Sequence, residues 1–163
     1  MSTAPFLDAN RCVVVVGVDG SRASMCALEA ACAFAAARPG GIVHAVLCVR
    51  LDAAMLFTEG PIDLAEEGDR LDDLCRRAGA RERVAIRRHV AIDRPDHAIL
   101  SMAREFGADL VVIGTRRRTG FERALLGSLT DRIVHFAPCP VLVVPDGGTS
   151  DHTGPEAQMR HET

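Results

Sequence analysis

ADLVVIGTRRRTGFERALLGSLTDRIVHFAPCPVLVVP, residues 108–145, is the stretch whose reading decides the fold. Leu110–Ile113 is a short, wholly apolar run, as expected of a strand buried on both faces. Gly114–Leu126 is a loop containing glycine and arginine, with some helical turn in its later part. Gly127-Ser128 opens a helix that runs to Phe136. Pro138, Cys139 and Pro140 then break the chain, and Val141–Val144 is another short apolar strand.

The same alternation extends back to the N-terminus. Cys12–Val18 is a continuous β-branched run interrupted by Asp19, Gly20 and Ser21. Ala23–Ala37 is an Ala-rich helix with Ser21 as a natural N-cap, stopped by Pro39, Gly40 and Gly41. Ile42–Val49 is the second strand, Arg50–Gly60 a loop, and Ile62–Ala78 an amphipathic helix. Val84–Ile92 is a third strand whose Arg87 and His89 read as exposed. A helix follows from Pro95 to about Phe106, capped by Gly107. Strand and helix thus alternate five times, with no internal repeat. The pattern predicts a single three-layer, Rossmann-like α/β domain: a five-stranded parallel sheet with helices on both faces and right-handed crossovers. The domain is expected over residues 11–146, between a flexible segment 1–10 and a disordered polar tail 147–163.

Composition narrows the function. The 163 residues suit one domain, and 48% hydrophobic content supplies a core. A net charge of −3 argues against general nucleic-acid binding. No apolar run is long enough to span a bilayer and no secretory signal opens the chain, so a soluble, cytoplasmic protein is expected. All 19 basic residues are Arg, which removes Walker-type and Schiff-base lysine chemistry. The six cysteines form no Cys-x-x-Cys pair and read as small buried apolar residues; no cluster has zinc spacing.

Two places could carry chemistry. In open parallel sheets, ligands collect at the carboxyl ends of the strands where strand order reverses. Asp19 ends the first strand, where it can accept hydrogen bonds from a base or ribose or help hold a metal. Equally, it can cap the turn with Ser21. Gly127 lets backbone approach an anion at a helix N-terminus, and Ser128 can cap that helix or donate to phosphate. His97 and His135 lie in helices and read as packing or surface residues, with no Ser, Cys or Asp partner evident in sequence.

GVDGS (residues 17–21) before an Ala-rich helix, together with the 108–145 stretch, resembles the universal stress protein family from about Cys12 to Pro145. That resemblance implies the strand order 3-2-1-4-5 and a homodimer through the last strand, Val141–Val144. It also implies an adenine-nucleotide site, ATP with or without Mg²⁺. Asp19, beside Gly17 and Val18, would meet the adenosine half and any metal, and the Val49 backbone would meet adenine. Gly114, Arg116, Arg117, Gly127, Ser128, Leu129 and Thr130 would lie around the phosphates.

Nucleotide-binding members carry Gly-x-x-Gly, nine residues, then Gly-Ser or Gly-Thr. Here Gly114 and Gly127-Ser128 keep the spacing, but Arg117 stands at the middle glycine. Asp93 stands where the family commonly has glycine, two residues before Pro95. Arg117 can fork onto phosphate, pair with Asp93 and block the site, or face solvent. The expectation is weakened or altered nucleotide binding, or a nucleotide-free site. Three functions follow: a dimeric adenine-nucleotide-binding regulatory protein, a nucleotide-free dimeric scaffold of the same fold, or a slow ATP hydrolase. The last lacks an evident general base and any lysine clamp.

Overall fold

A computed structural model of the protein describes residues 11–49, 63–79, 84–115 and 127–146. Among the described residues, five strands alternate with four helices: β1 (Cys12–Val18), α1 (Arg22–Ala36), β2 (Gly41–Val49), α2 (Leu64–Gly79), β3 (Ala85–Ile92), α3 (Pro95–Glu105), β4 (Leu110–Thr115), α4 (Ser128–Phe136) and β5 (Val141–Pro145). The sheet is wholly parallel with strand order β3-β2-β1-β4-β5, as expected. The loop 50–60 and the arginines Arg116 and Arg117 fall outside the described residues.

The side-chain period of two sorts β1 into two cores. Val14 and Val16 join Leu28 of α1 and Leu71 of α2 on one face. Val13 and Val15 join Ile99 of α3 and Ile133 of α4 on the other. Val13 to Val16 are each at most 1% exposed, so the β-branched run is a central strand covered on both sides. Asp109 pins the start of β4 beside β1: its amide donates to the Val13 carbonyl at 2.8 Å, and its carboxylate accepts from the Val13 amide at 2.8 Å.

Element ends follow local chemistry. Ser21 caps α1, its hydroxyl accepting from the Ser24 amide at 3.2 Å. Pro95 sits in the first turn of α3, where its missing N–H costs nothing. Gly107 takes φ +60° just past the end of α3, and the Ala108 amide bonds back to the Ala103 carbonyl at 2.9 Å. β4 runs to Thr115, two residues beyond its apolar stretch, because Gly114 and Thr115 pair with Val144 and Pro145.

Two histidine readings change. His89, read as exposed, is half-buried, its ring 5.3 Å from that of Phe106 and tilted 37° to it. His97 does have an acidic partner: its Nδ1 pairs with the Asp93 carboxylate four residues earlier, one helical turn back.

Candidate functional site

Strand order reverses between β1 and β4, and a cleft of about 100 Å³ opens at their carboxyl ends. Gly17 and Val18 from β1, Asp19 just after it, Gly114 from β4 and Leu129 from α4 line it, all predicted positions. Gly127, Ser128, Thr130 and Val49 are not on the wall. Gly127 and Ser128 are exposed beside Leu129, while Thr130 is 5% exposed and turned into the core. Val49 ends β2 just past Cys48, and β2 reaches the cleft through Val46 and Cys48 instead. Sequence reasoning also missed Pro95 and Ile99 of α3 on the wall. Their four-residue spacing puts them on one helical face, but no linear pattern says which strand that face meets.

The Asp19 turn does the structural job left open above. Its Oδ1 accepts from the Ser21 amide at 2.8 Å, closing an Asx turn, while Gly20 takes φ +80°. Ser24 completes the network: its hydroxyl donates to the Ser21 carbonyl at 3.0 Å and accepts from the Asp19 amide at 3.2 Å. Arg70 of α2 donates to the Asp19 carbonyl at 3.1 Å. The turn therefore holds an exposed carboxylate at the cleft mouth.

Ser128 is the first helical residue of α4, and the cap position belongs to Gly127. Gly127 makes no side-chain cap bond, so the first amides of α4 keep the donor character that suits an anion. Gly114 has a different reason to lack a side chain. A Cβ there would overlap the Ala23 carbonyl and sit 2.7 Å from the Ser24 amide nitrogen. The glycine lets the first turn of α1 lie directly on β4.

Charge is concentrated on the α3 side. Asp93, partly exposed, accepts from the Arg94 amide at 2.6 Å as well as pairing with His97. Those two bonds hold its carboxyl below the usual carboxylate range. Asp96, 6% exposed, takes Arg94 Nη2 at 3.0 Å and Arg132 Nε of α4 at 2.7 Å. Burial pushes its carboxyl up, but the two guanidiniums prevail and hold it down. Cys48, on the cleft wall, is pushed up to about 11 by burial and by Asp93 and Asp96, so it stays a thiol and is no nucleophile at neutral pH. Among the described residues, no group of three or more His, Cys, Asp or Glu side chains could hold a metal ion.

The Asp96 bridge ties α3 to α4 and makes a pH signature. A carboxyl with a lowered folded-state pKa contributes stability above its unfolded value, and that contribution vanishes as pH falls through the folded value. Asp96→Asn is expected to lower the urea midpoint at neutral pH. The gap to wild type should then close as acidification protonates the Asp96 carboxyl, below the usual carboxylate range. Both arginines are more than half exposed, so the effect is modest. A gap that stays constant with pH would mean that the carboxylate charge is not what joins the helices.

A doubly wound α/β domain with its crevice at the sheet's switch point is the class that this fold and site define. The model of the universal stress protein family matches residues 12–145, and the chain belongs to that family. A universal stress protein of Mycolicibacterium smegmatis is 36% identical over 139 residues, 83% of this chain and 46% of that protein. The chain thus spans about half the length of that relative. Universal stress protein YxiE of Bacillus subtilis is 29% identical over 143 residues, 80% of this chain and 97% of that protein. Among solved structures, a universal stress protein in complex with cAMP superposes with a TM-score of 0.64 at 27% identity, covering 84% of this chain and 98% of that one. Among the described residues, no helix is long and apolar enough to cross a membrane.

Proposed function

We propose that this chain is a dimeric regulatory protein that binds an adenine nucleotide in the cleft between β1 and β4. The observation that carries the reading is the shared cleft: the Asp19 carboxylate at its mouth and the first turn of α4, through Leu129, on its wall. A carboxylate suits the hydroxyls of a ribose or the amino group of a base, and helix-start amides suit phosphate. The likeness to a family member in complex with cAMP supports the adenine class. Gly17 and Val18 would lie along the adenosine, and Val49 would offer backbone to the base. Gly114, Arg116, Arg117, Gly127, Ser128 and Thr130 would surround the phosphates. With ATP, a Mg²⁺ would rest on the phosphates and at most on Asp19, since one or two carboxylates plus phosphates are that ion's usual partners.

Isothermal titration with ATP, ADP, AMP and cAMP tests this. Asp19→Asn keeps an oxygen for the Ser21 amide but removes the charge. It is expected to weaken nucleotide binding by about tenfold, the scale of one charge-assisted hydrogen bond. Arg117→Gly restores the family's middle glycine and is expected to tighten ATP binding. Micromolar ATP affinity that neither substitution changes would sink the assignment.

One observation favours the nucleotide-free alternative. The cleft between the described residues holds about 100 Å³, where small-molecule pockets usually exceed roughly 300 Å³. Protein purified without bound nucleotide, silent in all four titrations, would establish that reading. Slow ATP hydrolysis stands third, and steady-state phosphate release abolished in Asp19→Asn would promote it.

A further inference from the structure

A second, larger hollow of about 670 Å³ opens at the sheet edge opposite the cleft, where β2 and β3 begin. It exists because α3 packs over β1 and β2 and stops before Phe106. β3, among the described residues, takes its helical cover from α2 on the other face. Ile42 and His44 of β2, Arg87 and His89 of β3, Phe106, and Arg11 ahead of β1 line the hollow.

Three rings form one block along it. His44 lies 4.1 Å from Phe106, and its plane is within 8° of that of His89 at 5.1 Å. His44 Nδ1 and His89 Nε2 are 3.0 Å apart, a hydrogen bond between imidazoles. His44 is 6% exposed, so the block is fixed rather than a pair of surface side chains. The charge on the hollow is one-sided: Arg11 and Arg87 line it and, among the described residues, no carboxylate does. That runs against a chain whose net charge is −3.

We propose that this hollow binds a small planar organic anion of the aromatic carboxylate class, with its ring against the Phe106–His44–His89 block and its carboxylate on Arg11 and Arg87. The flat faces favour an aromatic body, and guanidinium forks match a planar carboxylate. A phosphate is disfavoured here. α3 presents its carbonyl end at Phe106, where Arg11 already donates to the Phe106 carbonyl at 3.3 Å, so there is no ring of free amides for a dense dianion. The inference is independent of the nucleotide reading, because the site is a different one at the other end of the strands.

Binding is linked to protons. The neutral pair carries one proton between its rings and one on an outer nitrogen; one added proton makes both outer nitrogens donors. Burial, His89, Arg87 and Arg11 hold the empty-site His44 down to about 4. Burial lowers His89 too, with Glu105 of α3 opposing and Arg87 adding. A bound carboxylate offsets Arg87 and Arg11 and raises the pair's proton affinity. Affinity therefore grows, with proton uptake, as pH falls through the acidic range toward the value of the empty site.

The test is calorimetry of the full chain with 1-naphthoate, and with 1-naphthylmethanol as its neutral counterpart. Naphthoate is expected to bind in the submillimolar range and the alcohol at least about tenfold more weakly. Arg87→Gln should cost naphthoate about tenfold and leave the alcohol unchanged. His89→Gln should flatten the pH dependence, and saturating ATP should not displace the probe. Removing residues 1–10 should leave binding unchanged. Equal affinity for the alcohol, indifference to Arg87→Gln, displacement by ATP, or binding that appears only after that truncation would each overturn the proposal.

Discussion

Gly114→Ala is expected to lower the unfolding free energy by about 2–3 kcal/mol, the upper part of the roughly 1–3 kcal/mol range for forcing extra volume into a packed interior. The added Cβ meets backbone, not the end of a side chain: the Ala23 carbonyl and, at 2.7 Å, the Ser24 nitrogen. Neither can move without shifting the first turn of α1. That turn carries the Ser21–Ser24–Asp19 network, so the cleft mouth should loosen with it. Gly127→Ala is the matched control. A Cβ there meets nothing within 4 Å and φ is −56°, so its cost should stay below about 1 kcal/mol. Urea denaturation of both variants decides. Equal losses would show that α1 does not rest on β4 as described. The comparison also separates two glycines that a sequence motif treats alike, one kept for packing and one for an open helix start.

Leu142→Arg is expected to convert a dimer into a monomer. β5 is an edge strand paired only with β4 among the described residues. Its backbone groups on the outer side are open to a second copy. Leu142 is 39% exposed there, and α4 on the same flank exposes Val134 at 47% and Phe136 at 54%. In a two-fold dimer each lost contact counts twice. Losing about 1.5 kcal/mol per leucine weakens association by at least about a hundredfold, before repulsion between the new arginines. Light scattering on the eluting protein should give twice 17.4 kDa for wild type and 17.4 kDa for the variant. Wild type that elutes as a monomer at high micromolar concentration, or a variant that still dimerises, would remove β5 as the interface.

Much of this architecture was legible in the chain because its signals are local. The valine run 13–16 could only be a central strand, and the helix starts at Ser21 and Pro95 sit where their capping chemistry puts them. Five alternations of strand and helix left the parallel sheet as the economical arrangement, while the strand order β3-β2-β1-β4-β5 was an expectation from the family resemblance, which the structure bears out. Asp19 was legible as a site candidate for the same reason: a carboxylate at the end of a buried strand is a local fact.

What joins across the sheet was not legible. Which residues of α3 face the cleft, that His89 finds His44 forty-five positions away, and that Asp96 gathers Arg94 and Arg132 are consequences of register and helix rotation. The sequence alone determined the order of elements and the acid at the end of β1, since propensity and capping act within a few residues. Tertiary structure alone decided that Gly114 serves packing against α1, and that a cationic, ring-lined hollow lies at the far edge. Contacts between segments distant in the chain depend on how whole elements pack, and no short window of residues encodes that.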